Sequence, residues 1–176
     1  MSLHDILITC IDRACIHVFS TMMGVAIEPG ESSFGTATPD ANDGVVSLIG
    51  LAGTWTGSGS VGCSAVMACR ICSRMLMTEV QAVNEEVLDA VAELTNMIVG
   101  CVKTDLERHL GPLGLSIPTV VYGRNFKMRS TRTTEWTTRR FLWDDEPLLV
   151  RLSLAPTEEA AAPRLHAAVQ MCDVEV

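Results

Sequence analysis

Residues 3 to 23, LHDILITCIDRACIHVFSTMM, repeat apolar positions at helical spacing and stop at Gly24, a residue suited to the left-handed close of a helix. The pattern predicts a first helix there. From Pro29 to Gly44 the chain turns to Gly, Ser, Thr, Pro and Asp, which predicts loop. VVSLIGLAG (45 to 53) reads as a buried strand. Turn residues between Gly53 and Gly57 lead to a second strand near 58 to 63, so the two should pair as a hairpin. A short helix is expected over about 65 to 77.

The most regular stretch is EVLDAVAELTNMIVGCVKTDLERHL, residues 86 to 110. Asn84 is suited to cap its start, Glu85 and Glu86 favour the positive end of its dipole, and Gly111-Pro112 ends it. A helix of ~25 residues would span roughly 37 Å. At 100° per residue, Leu88, Ala92, Thr95, Val99, Val102 and Leu106 fall on one stripe, with Val91 and Ile98 at its margin. That stripe should pack on a sheet. Asp89, Glu93, Asn96, Gly100, Lys103 and Glu107 gather on a separate, water-facing flank. Gly100 is out of place there, since glycine costs about 1 kcal/mol relative to alanine inside a helix. Close approach of another molecule would account for it.

From Ser116 onward the period changes to alternation. SIPTVVYG, RNFKMRST, TEWTTRRFLW and PLLVRLSL are strand candidates, with Gly123 and Asp144-Asp145 as turn markers. The order α-β-β-α-α-β-β-β, with a possible further strand, defines an α+β fold in which helices pack on an antiparallel sheet. The 176 residues suit one domain, taken as 1–155, followed by a tail or docked appendage over 156–176.

Charge and cysteine content narrow the functional classes. A net charge of −8 opposes general nucleic-acid binding. The basic cluster Arg124, Lys127, Arg129, Arg132, Arg139 and Arg140 reads as a solvated sheet face. No apolar run approaches the roughly 18 to 20 residues needed to span a bilayer, and Asp5 and Asp12 interrupt the N-terminal segment, so neither a membrane span nor a signal peptide is expected. A cytoplasmic location follows as the expectation. Seven cysteines are expected to stay reduced. Cys69 and Cys72 form C-x-x-C, but His4, His17, His109 and His166 form no local pair to complete a metal site, and both thiols fit the inner side of a short helix. GSGSVG, with Gly57, Gly59 and Gly62, matches a dinucleotide-binding fingerprint. Thr54-Trp55-Thr56 intervene after the preceding strand, however, and Glu79 ends a helical pattern in place of a second parallel strand, which favours a glycine-rich hairpin.

AELTNMIVGCVKTDL resembles the signature helix of the CheX family of chemotaxis phosphatases, relatives of CheC, in which E-x-x-N is followed by glycine four residues after the asparagine. VVSLIGLAGTWTGSGSVGCSAVMACRICSRML resembles the family's strand, glycine-marked turn, second strand and short helix. SIPTVVYGRNFKMRS resembles its strand entry after the long helix, and MMGVAIEP the ending of its first helix. The likeness spans about residues 3 to 154.

The resemblance implies an enzyme that hydrolyses the aspartyl phosphate of a CheY-type response regulator. Asn96 would orient the attacking water and Glu93 would pair with the regulator's lysine. Gly100, Asp89 and Lys103 would belong to the docking surface. No cofactor of its own is implied, magnesium being held in the regulator's site, and neither nucleic acid nor membrane is implied as a partner. The resemblance further implies a homodimer joined through sheet edges. Thr95 stands where a glycine is common in the family, and the stripe turns it inward. CheC relatives carry a second E-x-x-N on the first helix, but ILITCIDRAC holds Ile6 and Thr9 at those places, implying one site per chain. The alternative is a non-catalytic regulator-binding or dimerisation module of the same fold.

Overall fold

The structure, a computed structural model, describes residues 2–36, 42–128 and 135–157. Helix α1 (Leu3–Val18) starts on a reciprocal cap in which Ser2 and Asp5 satisfy each other's backbone N–H. It continues through a π-helical turn, Phe19–Met23, to Gly24 at φ 66°. Strands β1 (Glu28–Gly35), β2 (Asn42–Gly53) and β3 (Trp55–Cys63) follow, then α2 (Ala65–Leu76) and α3 (Glu85–Leu110). Strands β4 (Leu113–Leu115), β5 (Thr119–Phe126), β6 (Trp136–Trp143) and β7 (Glu146–Pro156) complete the described chain.

The strands form one antiparallel sheet in the order β1-β6-β7-β3-β2, with β4 and β5 both pairing the outer side of β2. Register is fixed by which residues face the helices. Val45 opposes Cys63, which opposes Leu148, which opposes Phe141, so one row of apolar side chains lies across four strands. All four are buried beneath the helices. Asp144 and Asp145, at φ 49° and 63°, make the two-residue turn joining β6 to β7. The α+β architecture is the expected one.

Several local expectations are corrected. The predicted loop from Pro29 to Gly44 contains β1, whose polar residues pair with β6 from Glu28↔Leu142 to Gly35↔Trp136. RNFKMRST is no separate strand: residues 124 to 126 finish β5, and 129 to 131 lie outside the described residues. Gly123 marks no turn either, but sits within β5 opposite Gly44, next to a bulge. The three glycines of GSGSVG lie inside β3, hydrogen-bonded on both sides. A Cβ at Gly59 would press on Val99 of α3 at 3.1 Å, so that glycine serves helix-on-sheet packing and not phosphate binding. The basic cluster is divided, because Arg139 turns to the helix side and binds Asp12, while Arg124, Lys127 and Arg140 are exposed.

Leu3–Met23 is also a continuous rod of 21 residues with mean hydropathy 1.4, long and apolar enough to cross a membrane by length and composition. The sequence-based expectation of no such run fails because the interrupting charges are too few to lower the average. Leu7, Ile11, Cys15, Val18 and Phe19 on this rod are buried in the protein's own core. Of the segment 156–176, expected as a tail or docked appendage, Pro156 instead ends β7, and 158–176 lie outside the described residues.

Candidate functional site

Helix α3 supplies the site, and its placement follows from its caps and its buried arc. The Asn84 side chain accepts from the Val87 N–H at 3.0 Å, and Gly111 turns the chain out at φ 82°. Val87, Ala90, Val91, Leu94, Thr95, Ile98, Val99, Val102 and Leu106 are buried. The buried arc is therefore broader than the predicted stripe and rotated from it. Leu88 and Ala92, assigned to its centre, are only half-buried. Thr95 points inward as expected, fully buried, and donates to the Val91 carbonyl at 2.8 Å.

The opposite side carries Asp89, Glu93 and Asn96, all exposed, and the half-buried Gly100. Three residues of helix separate Glu93 from Asn96, about 4.5 Å along the axis, so carboxylate and carboxamide stand side by side. Asp89 and Glu93 take part in none of the ion pairs among the described residues. Lys103 is differently placed. Its Nζ is 2.9 Å from Glu107 Oε1, and the Glu107 carboxylate also accepts the Leu113 N–H at 3.0 Å. That backbone bond, assisted by Lys103, holds the Glu107 carboxyl below the ordinary range. Lys103 thus helps fasten the end of α3 to β4.

Among the described residues, a Cβ at Gly100 would meet no atom within 4 Å outside the helix's own nearby backbone. Nothing among the described residues requires glycine at this position.

Arg13 of α1 pairs with Asp105 of α3 at 2.7 Å, and further along α1 Cys15 lies within electrostatic reach of Cys101. The two helices are therefore antiparallel, and the π-helical end of α1 lies beside the half of α3 that holds Glu93. Between this end and α2 opens a groove of 730 Å³ lined by Met22, Met23, Arg70, Arg74, Met75 and Met77 among others. Sequence reasoning missed it. Its only local signals are the clusters MM at 22–23 and RMLM at 74–77.

The thiols are poor nucleophiles. Burial pushes Cys63 up to about 12 and raises Cys69 and Cys72, so the reactive thiolate is scarce at neutral pH. Among the described residues no group of three His, Cys, Asp or Glu side chains is placed to hold an ion. What the α3 face offers is a hydrogen-bonding amide beside a negative charge on a rigid helix, an arrangement suited to positioning a reactant held by another molecule.

An α+β protein with a single exposed E-x-x-N on a long helix defines the class. Residues 45–140 match the family model described as chemotaxis phosphatase CheX, and the chain belongs to that family. No curated protein sequence matches it. Among solved structures, the CheC-like superfamily protein of Shewanella sp. PV-4 is 25% identical with TM-score 0.76, over 88% of this chain and 99% of that one. The chemotaxis protein CheX of Vibrio vulnificus is 24% identical with TM-score 0.75, over 85% and 99%. A chain of the CheX–CheY–BeF3–Mg2+ complex from Borrelia burgdorferi is 26% identical with TM-score 0.70, over 84% and 97%.

Proposed function

We propose that this protein accelerates hydrolysis of the aspartyl phosphate of a CheY-type response regulator, with Asn96 and Glu93 as the working residues. The observation that carries the reading is the exposure of both side chains, side by side on α3, in a chain of the CheX family. The Asn96 carboxamide enters the regulator's phosphorylation pocket and holds a water in line with phosphorus. An amide can donate and accept without changing protonation state. The water oxygen bonds to phosphorus as the bond from phosphorus to the aspartyl oxygen breaks, leaving a regulator carboxylate and inorganic phosphate. Glu93 pairs with the lysine beside the phosphoryl group and sets the depth of docking.

Little more is needed from the catalyst, because an acyl phosphate is labile and the regulator brings its own magnesium. The Borrelia complex, which contains BeF3 and Mg2+, is in keeping with that division of labour. A 100-fold acceleration requires only about 2.7 kcal/mol of barrier reduction. Asp89 extends the acidic side of the docking surface, and Gly100 leaves room for the regulator's backbone. The unit responsible is residues 1–155, acting in the cytoplasm where such regulators work. Two copies join through the outer edge formed by β5, where Tyr122 on the strand and Ile117 just before it are 50% and 89% exposed.

The test is the lifetime of a phosphorylated cognate CheY-type regulator with and without the protein, run beside Asn96→Ala. Wild type should shorten the lifetime. The alanine variant should not, while keeping a native circular dichroism spectrum and regulator affinity. Equal lifetimes with and without wild type, together with retained binding, would assign the chain to the non-catalytic regulator-binding reading.

A further inference from the structure

The methionine-lined groove between the π-helical end of α1 and the C-terminal end of α2 has no role in the fold that explains its surface. Met77 is 92% exposed and sits at φ 52°, a left-handed helix-ending position where glycine is preferred. Leu76 and Met22 beside it are 49% and 51% exposed. A large apolar side chain held in a disfavoured backbone conformation and offered to solvent is a feature of contact surfaces, and methionine adapts to varied partners.

We infer that this groove is the second contact of the same response regulator, taking an apolar, carboxylate-bearing segment next to the regulator's phosphorylation pocket. The inference rests on the function proposed above. A specific interface commonly covers about 800 Å² and some 20 to 30 residues per partner. The exposed strip of α3 offers only a handful, so a regulator seated on Asn96 must extend over a neighbouring element. On one side lies the β5 edge, assigned above to a second copy. On the other lies α1, whose π-helical end borders the groove and sits beside the half of α3 that carries Glu93. Cys72 of α2 is within electrostatic reach of Glu86, which places α2 against the same end of α3.

Charge supports the same occupant. Arg70 forms a fixed wall, donating to the Trp143 carbonyl at 3.3 Å, lying over its ring at 5.6 Å and pairing with Asp144 at 3.7 Å. Arg74 is exposed and joins no ion pair among the described residues. Glu79 is the one acid lining the groove among the described residues, and Arg70 is already shared with Asp144, so Arg74 is the groove's unpaired cation. A pocket that binds magnesium beside an aspartyl phosphate is built from carboxylates, so a segment bordering it presents the complementary sign. Acidic α3 then reads the regulator's lysine while Arg74 reads its acidic neighbour, fixing one orientation.

The experiment measures affinity for a cognate CheY-type regulator activated with beryllium fluoride and Mg2+, and turnover of its phosphorylated form. Met77→Gly removes the side chain while relaxing the backbone, so its melting temperature should hold or rise. Its Kd and KM should rise about tenfold with kcat retained. Arg74→Glu should weaken binding at least as much, most steeply at low salt. Arg140→Glu, the same charge change on the uncovered sheet face, should leave Kd unchanged. If wild type acts on the regulator and both groove variants bind as wild type does, the groove inference falls while the α3 reading stands. If wild type neither binds nor dephosphorylates the regulator, both fall.

Discussion

Both carboxylate oxygens of Asp12 receive the Arg139 guanidinium, Oδ1 from Nε at 2.6 Å and Oδ2 from Nη2 at 2.9 Å. The remaining nitrogen donates to the Gly30 carbonyl at 2.5 Å. One fork thus ties α1, β6 and edge strand β1 together, with side-chain exposures of only 14% and 26%. Removing one partner leaves a half-buried charge unpaired, so Asp12→Ala should cost about 2 kcal/mol and lower the melting temperature by about 4 to 8 °C. The paired change Asp12→Leu with Arg139→Met should recover most of it. A single variant melting with wild type would show the pair to be inert.

Ser47 offers a contrasting case. It is fully buried on the helix-facing side of β2, between Val61 and Val120 on the flanking strands, and its hydroxyl has no hydrogen-bond partner among the described residues. A buried hydroxyl without a partner costs about 1 to 3 kcal/mol. Ser47→Ala should therefore stabilise the protein by about 1 kcal/mol in denaturant titration. A loss of stability would mean that the hydroxyl is satisfied in solution.

Helix α3 was legible because every local signal agreed: the Asn84 cap, the acidic first turn, the apolar period and the Gly111-Pro112 stop. Glu93 and Asn96 were legible as a consequence, since periodicity alone turns them outward. Strand β1 was hidden because EPGESSFG has no alternation and becomes a strand only by pairing with β6, more than a hundred residues away. The error at Leu88 and Ala92 has a similar origin. α3 packs on α1 and α2 as well as on the sheet, which broadens the buried arc to take in Val87, Ala90 and Leu94 and departs from the single-stripe solution. The methionine groove joins residues 22 and 77, whose proximity no local pattern expresses.

Alkaline stability should report the burial of Cys63. Its thiol is held up at about 12 against an ordinary 9.0, chiefly by desolvation. The folded chain therefore keeps a proton that the unfolded chain releases, so the stabilisation is complete below pH 9 and is lost as pH rises towards 12. One such proton steepens the decline by up to about 1.4 kcal/mol per pH unit. Denaturation midpoints from pH 8 to 11 should fall more steeply for wild type than for Cys63→Ala. Parallel curves would remove Cys63 from the alkaline transition.

Gly100 separates folding from docking. Among the described residues a Cβ there meets nothing outside the helix's own nearby backbone, so Gly100→Ala should stabilise the isolated protein by about 1 kcal/mol and raise its melting temperature by about 2 to 4 °C. If the glycine leaves room for a regulator's backbone, Gly100→Leu should also fold well but bind the beryllium fluoride-activated regulator at least tenfold more weakly. Unchanged affinity in the leucine variant would show that the partner passes elsewhere.

The chemical role of Asn96 is tested most sharply by Asn96→Asp, which keeps the shape and exchanges the amide donor for a charge. At its exposed position the change should leave the melting temperature within about 0.5 kcal/mol of wild type in equivalent stability. An amide both donates and accepts, whereas an ionised carboxylate can only accept and would bring negative charge towards an already anionic phosphoryl group. Turnover should fall to that of Asn96→Ala, and affinity for the phosphorylated regulator should drop below it, with the difference shrinking at high salt. Turnover at the wild-type rate would instead point to a general base at this position, and would replace the water-orienting amide by a proton acceptor.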